Sequence, residues 1–383
     1  MSTQAQQTLA ITGWSAVSPI GIGPDTFTES FNTGARGNTD VTEMFDDEPL
    51  PRSDAFAMPD FKAKDHLGRK GTSFLDRSTA LAMVACGGAL ADAELVIDED
   101  NAERVGVALG TTAGSVKSTS DYGRATFVED KPYLVNPLIF PNAVMNCAAG
   151  QSAIRYRLKG VNATLAGGPA AMLSGLRYAR TQIGLDRVET LVVGATEEFG
   201  PQTAWANEFA MRAGGGELSA GEGAAMFVVE DAARVRDQGR VPDAEVLAVE
   251  VATHVPDTES DLSPDFSASL ARCIDRALTR AGITPDEVST VASAENTMPA
   301  TDRYEDSAIT STVGTAAHRI RVKQQLGEAM SASGALQLAA LLAGHRSGES
   351  RDGEVSLLTA HTPDGVVGAA VLRGWRGRAR ASE

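Results

Sequence analysis

Aromatic residues make up only 5% of this 383-residue chain, so its core must be built from Ala, Val, Leu and Gly rather than from rings. Cysteine is scarce too. Cys86, Cys147 and Cys273 are odd in number and far apart, with no CxxC pair and no Cys/His cluster. That argues against a disulfide framework or structural zinc and fits a reducing, cytoplasmic setting. No stretch approaches the ~18 uninterrupted apolar residues of a membrane span, and the polar N-terminus lacks the apolar region of a signal peptide. Basic charge is in deficit: the formal net charge is −16, which disfavours nucleic acid as a partner. A local basic patch remains open, with Arg69, Lys70, Arg77, Arg155, Arg157 and Lys159 as candidates, although ordinary solvated charges explain most of them. Gly110-Thr-Thr-Ala-Gly114 lacks the Lys-Ser/Thr of a phosphate loop and reads as a strand-to-helix turn. No cofactor or metal is expected. His66, His254, His318, His345 and His361 share no motif spacing with an acid and a nucleophile, and read as solvated or satisfied side chains.

What is present is an alternation of strands and helices long enough for two similar halves, expected at 1–235 and 236–383. Short apolar runs at 8–13, 105–110, 191–194, 224–230 and 246–251 read as strands. Helical patterns cover 24–33, 78–93, 142–158, 168–182, 265–281 and 333–345, and the one at 78–93 is apolar on nearly all sides. Residues 34–64 read as an irregular excursion and 117–136 as polar without a strong pattern. Helix 78–93 followed by strand 105–110 parallels helix 267–281 followed by strand 288–294, a hint of a duplicated α/β unit.

In order and spacing, several segments resemble the β-ketoacyl synthases. Ile11-Thr-Gly-Trp-Ser-Ala-Val-Ser-Pro-Ile-Gly21 resembles that family's first strand and loop, and Leu75-Asp-Arg77 its Met-Asp-Arg helix start. Asn142-Ala-Val-Met-Asn-Cys-Ala-Ala-Gly150 is similar to its Asn-x-x-Ala-Gly segment, and Gly221-Glu-Gly-Ala224 to its Gly-Glu-Gly-Ala turn. Asp302 and Glu305 keep an Asp-x-x-Glu spacing, and Lys323 stands where the family has a lysine before its second histidine. The resemblance implies a thiolase-like α/β fold of five layers, αβαβα, built from two pseudo-twofold-related halves and working as a dimer.

It also implies a chemistry whose residues are missing. Condensation in that family uses a cysteine at the N-terminus of a buried helix, where the helix dipole favours the thiolate, and two histidines that steady the developing charge. Aligning Gly160-Val-Asn162 on the family's Gly-Pro-Asn/Ser places Pro169 at the nucleophile position. The segment Glu295-Asn-Thr-Met-Pro299 replaces His-Gly-Thr-Gly-Thr-Pro, so Glu295 stands for the first histidine. Lys323-Gln-Gln-Leu-Gly-Glu328 puts Glu328 at the second. His361-Thr-Pro-Asp-Gly365 replaces the gating Gly-Phe-Gly-Gly. No catalytic residue is therefore expected.

Such a chain resembles the chain-length factor of type II polyketide synthases, an inactive subunit that pairs with an active ketosynthase and floors its substrate tunnel. Proline in place of that branch's usual glutamine, and a short loop before Gly221, point to a divergent branch making reduced or polyene chains. The resemblance implies a ketosynthase partner in a heterodimer and an acyl carrier protein as a transient partner. It places the tunnel-lining helix near 117–124, with Thr119, Ser120 and Gly123 as length-setting candidates. It places the dimer contact at 142–150, with Asn142, Met145, Asn146 and Cys147. Two alternatives remain: an enzyme of altered chemistry using Cys147, Ser174 or a carboxylate, and a free-standing acyl-binding homodimer.

Overall fold

The computed structural model describes residues 7–45, 48–255 and 264–375. Ten strands form its backbone: β1 (Leu9–Ser18), β2 (Val105–Thr111), β3 (Asn162–Ala166), β4 (Thr190–Glu197), β5 (Gly223–Asp231), β6 (Ala244–Thr253), β7 (Val288–Ala292), β8 (His318–Ile320), β9 (Val355–His361) and β10 (Val366–Gly374). Their hydrogen-bonded order is β8-β7-β9-β10-β6-β1-β5-β4-β2-β3, and a two-residue strand, Gly21–Ile22, folds back on β1.

That order is one five-strand topology used twice. Outward from the centre, each half runs first, fifth, fourth, second and third strand: β1-β5-β4-β2-β3 and β6-β10-β9-β7-β8. The directions repeat as well. The two inner pairings of each half are antiparallel and the two outer ones parallel. The halves join where Leu9–Ile11 of β1 pairs antiparallel with β6.

Among the described residues, the nine longest helices complete the layers: α1 (Pro24–Asn32), α2 (Arg77–Asp92), α3 (Val116–Val128), α4 (Cys147–Tyr156), α5 (Ala171–Gly184), α6 (Pro201–Gly214), α7 (Pro264–Ala281), α8 (Pro299–Val313) and α9 (Met330–Arg346). α2 packs on β1, β5 and α4, whereas α7 packs on β6, β10 and α8. α5 and α9 lie between, touching strands of both halves. The result is helix, sheet, helix, sheet, helix. α9 accordingly has no polar face; Met330 is followed by an almost unbroken run of buried residues from Ser331 to Ala343. Its Gly334 lets the backbone pass close to the turn before α5, since a Cβ there would stand 2.8 Å from the Pro169 carbonyl oxygen.

The repeat read from the sequence is the structural one: α2 and α7 each lead into the second strand of their half. α2 is buried along most of its length, as its composition implies, and Asp76 caps it by accepting from the Thr79 N–H at 2.8 Å. One expectation needs correction. The helix expected from residue 142 starts only at Cys147, because Pro137–Ala143 winds as a 3₁₀ segment with Pro141 inside it. The stretch 117–136, polar and without a strong pattern, is helical as far as Val128, which includes the helix the resemblance implied near 117–124. Ser115 accepts from the Ser118 N–H and starts α3, a helix with no buried residue.

Candidate functional site

Pro169 occupies the first turn of the 3₁₀ segment Gly168–Ala170 that runs into α5. Gly168 has φ +49°, which brings the chain sharply into the helix. A proline here supplies neither a nucleophilic atom nor an N–H.

Glu328 precedes α9 and is 5% exposed. Its Oε2 lies 2.7 Å from Lys323 Nζ and accepts from Asn296 Nδ2 at 3.4 Å. Its Oε1 accepts from Ser333 Oγ and the Met330 N–H, both at 3.1 Å. Four donors converge on one carboxylate, and an ionised carboxylate only accepts. Glu295 does not join them. It accepts from Ser293 Oγ and pairs with Arg321 Nε at 3.0 Å. Glu328 thus meets the loop that carries Glu295 through Asn296, and the two carboxylates have separate partners.

More buried acids surround this core. The Thr359 hydroxyl (2.5 Å) and the Ala294 N–H (2.9 Å) donate to Glu305, and His361 Nε2 stands 3.4 Å away. Burial opposes ionisation of Glu305, but His361, Thr359 and this N–H outweigh it and hold its pKa down at about 2. Glu197 accepts from the hydroxyls of Thr112 (2.5 Å) and Ser331 (2.8 Å), tying β4 to the start of α9, and burial pushes its pKa up. Burial, with Asp76 nearby, pushes Glu198 up to about 7. Glu222 of the Gly-Glu-Gly turn is fully buried and takes two hydrogen bonds from Arg77, at 2.5 and 2.6 Å. Arg77 is therefore a half-buried structural cation paired with Glu222 and not part of a surface basic patch. Glu305 and Glu222 lie in segments the sequence marked by resemblance, whereas Glu197 and Glu198 were missed. The signal was present for these two: Glu197 ends a buried, largely apolar strand and Glu198 follows it.

The tunnel and contact candidates lie on α3 and around the start of α4. Thr119 and Ser120 are exposed on α3, and Gly123 is half-buried. The Thr119 hydroxyl is within 2.9 Å of the Ser115 carbonyl and 3.2 Å of the Ala143 carbonyl. Nothing lies within 4 Å of a Cβ added at Gly123. Met145 and Asn146 are exposed and Asn142 is half-buried, bonded to the Phe74 carbonyl. Cys147 instead turns inward, and burial pushes its thiol pKa up. Around these residues Phe127, Val128, Tyr133, Leu134, Leu138 and Phe140 are all more than half exposed. They form an apolar surface beyond what scattered surface side chains explain.

The two sheet edges differ. β8 is three residues long and carries His318 and Arg319, the short charged form of a guarded edge. β3, Asn162-Ala-Thr-Leu-Ala166, is uncharged and, among the described residues, pairs only with β2. Among the described residues no cluster of three or more His, Cys, Asp or Glu side chains is arranged to hold a metal. No helix among them is long and apolar enough to cross a membrane.

This duplicated five-layer architecture is that of the thiolase-like ketosynthases, and comparison agrees. Residues 6–234 match the Beta-ketoacyl synthase, N-terminal domain, and residues 244–348 the Beta-ketoacyl synthase, C-terminal domain. The chain belongs to the beta-ketoacyl synthase family. It is 27% identical over 354 residues to a 3-oxoacyl-[acyl-carrier-protein] synthase 2 of Coxiella burnetii, covering 86% of this chain and 83% of that protein. Among solved structures it is similar to a chain of the ishigamide ketosynthase/chain length factor, with 36% identity, a TM-score of 0.83 and coverage of 96% and 99%. A beta-ketoacyl synthase from Burkholderia phymatum STM815 shares the fold at 19% identity, with a TM-score of 0.84 and coverage of 97% and 100%.

Proposed function

We propose that this chain is a non-catalytic subunit of the chain-length-factor type, acting in the cytoplasm. In this reading it pairs with an active ketosynthase and floors the tunnel that sets chain length during acyl-carrier-protein-dependent elongation of a polyketide or polyene. Glu328 carries the reading. A condensing site needs a donor to steady an enolate or oxyanion. Glu328 offers a buried carboxylate whose oxygens are already taken by Lys323, Asn296, Ser333 and the Met330 N–H. Pro169 at the start of the central helix fits the same conclusion.

The uncharged β3 edge and the exposed apolar surface around α3 support a partner of similar architecture. Placing Thr119, Ser120 and Gly123 against that partner makes α3 the tunnel floor. The altered-enzyme alternative is weakened at Cys147, since a thiol whose pKa is raised by burial is a poor nucleophile at neutral pH. Ser174 lies within α5, half-buried.

Co-expression with the ketosynthase encoded beside this chain tests the proposal. The expected result is a one-to-one complex that elongates carrier-bound acyl groups, while this chain alone forms no carbon–carbon bond. A stable homodimer that ignores the ketosynthase and retains acyl chains would replace this reading with the acyl-binding one.

A further inference from the structure

We propose that Glu198 is a positioning residue for chain length: by joining the first turns of α2 and α3 it fixes how α3 is seated against α2. The inference rests on the tunnel-shaping reading above and deepens it.

Glu198 follows β4 and is 3% exposed. Its Oε1 accepts from Ser115 Oγ at 2.9 Å and from the Lys117 N–H at 3.1 Å. Its Oε2 accepts from the Ser78 N–H at 3.3 Å. Ser115 is the residue that caps α3, and Ser78 is the second residue of α2. One buried carboxylate therefore satisfies N–H groups at the start of both helices, where negative charge is also favoured by both dipoles.

Those two helix starts meet at a tight seam. Asp76 and Thr79 face it from the α2 side, Gly114 and Ser115 from the α3 side, and Met145 and Cys147 close it. Thr119 and Gly123 lie one and two turns further along α3, so any change in how α3 is seated moves them together. α3 has no buried residue, and its other ties, Lys117 to Glu48 at 2.8 Å and Thr119 to the Ala143 carbonyl at 3.2 Å, lie nearer the surface. The Glu198 hydrogen bonds are the buried polar tie at its N-terminal end. Removing the carboxylate leaves the Ser78 and Lys117 N–H groups without this acceptor and frees α3 to shift against α2.

The test compares wild type, Glu198→Ala and Glu198→Gln, each as the free chain and in complex with the active ketosynthase. In free Glu198→Ala, the Ser78 and Lys117 amides are expected to exchange with solvent about 10-fold faster or more. In the complex, the variant should keep total turnover within about 2-fold but spread its products over more than one chain length. Glu198→Gln, which keeps an acceptor oxygen, should largely restore the single length. If Glu198→Ala fails to fold, Ser115→Ala removes one of the three bonds and must move product length in the same direction. Unchanged exchange and unchanged products overturn the proposal. Faster exchange with unchanged length, in a complex whose length does respond to Gly123→Phe, overturns the role of Glu198 and leaves the tunnel-shaping reading standing. A complex insensitive to both substitutions overturns both.

Discussion

Lys323 Nζ and Glu328 Oε2 lie 2.7 Å apart, with side chains only 3% and 4% exposed. An ion pair so deeply buried gains little net stability over an apolar pair, but removing one partner strands a buried charge. Lys323→Met is therefore expected to destabilise the chain by about 3–5 kcal/mol. Adding Glu328→Gln should recover at least half of that loss. Urea denaturation of the three proteins measures both effects, and a loss below about 1 kcal/mol for the single change would contradict the pairing.

Gly123 separates stability from function. No atom lies within 4 Å of its missing Cβ, and replacing a helical glycine gains a few tenths of a kcal/mol or more in propensity. Gly123→Phe should leave the melting temperature of the free chain unchanged or slightly raised. In the complex it should shorten the product by one or more two-carbon units, read by mass spectrometry of the released chains.

The pH dependence of stability follows from Glu198, whose folded pKa of about 7 lies above the ordinary glutamate value of 4.5 because burial, with Asp76 nearby, disfavours its charge. A carboxyl group raised in this way stabilises the fold fully below pH 4.5, and that contribution is lost as pH rises through 7. The loss amounts to up to about 3 kcal/mol. Asp76 and Glu197 are shifted in the same direction, so the readout is a difference between proteins. Glu198→Gln should lose less stability than wild type between pH 5 and 8, a range set by the two pKa values. Parallel curves for the two proteins would show that Glu198 does not titrate there.

The exposed apolar surface gives a prediction about association. Phe127 is 89% exposed and Leu138 is 63% exposed, so neither is a core residue. Phe127→Asp with Leu138→Asp should change the free chain's stability by less than about 1 kcal/mol. The same pair should weaken the heterodimer by about 100-fold or more, since apolar anchors dominate such interfaces. Sedimentation of the mixed subunits measures this, and undiminished assembly would place the interface elsewhere.

Much of the architecture was legible because it rests on local pattern. The apolar strands and the all-round apolar α2 identify themselves, and the repeat of α2–β2 in α7–β7 follows from spacing alone. α3 is marked by the family resemblance and not by local pattern, because it buries nothing within this chain and no amphipathic period shows. The start of α4 was misplaced because an alanine-rich reading passed over Pro141. Arg77 looked like a surface charge because its partner, Glu222, is 145 residues away along the chain. For the same reason the His361 contact with Glu305 could not be read, since only the fold brings β9 beside α8. Lys323 and Glu328 were both singled out by position, yet their pairing across the turn at Gly327 needed coordinates. Glu197 and Glu198 were readable in principle, as two acids ending an apolar strand.

The central claim is that this chain does no chemistry, and one experiment isolates it. The heterodimer is prepared with the partner ketosynthase's nucleophilic cysteine changed to alanine, and carbon–carbon bond formation is measured with labelled malonyl carrier protein. The account predicts loss of all condensation and no acyl group covalently held by this chain. Residual condensation above about 1% of the unmodified complex, with acyl label on this chain, would contradict it.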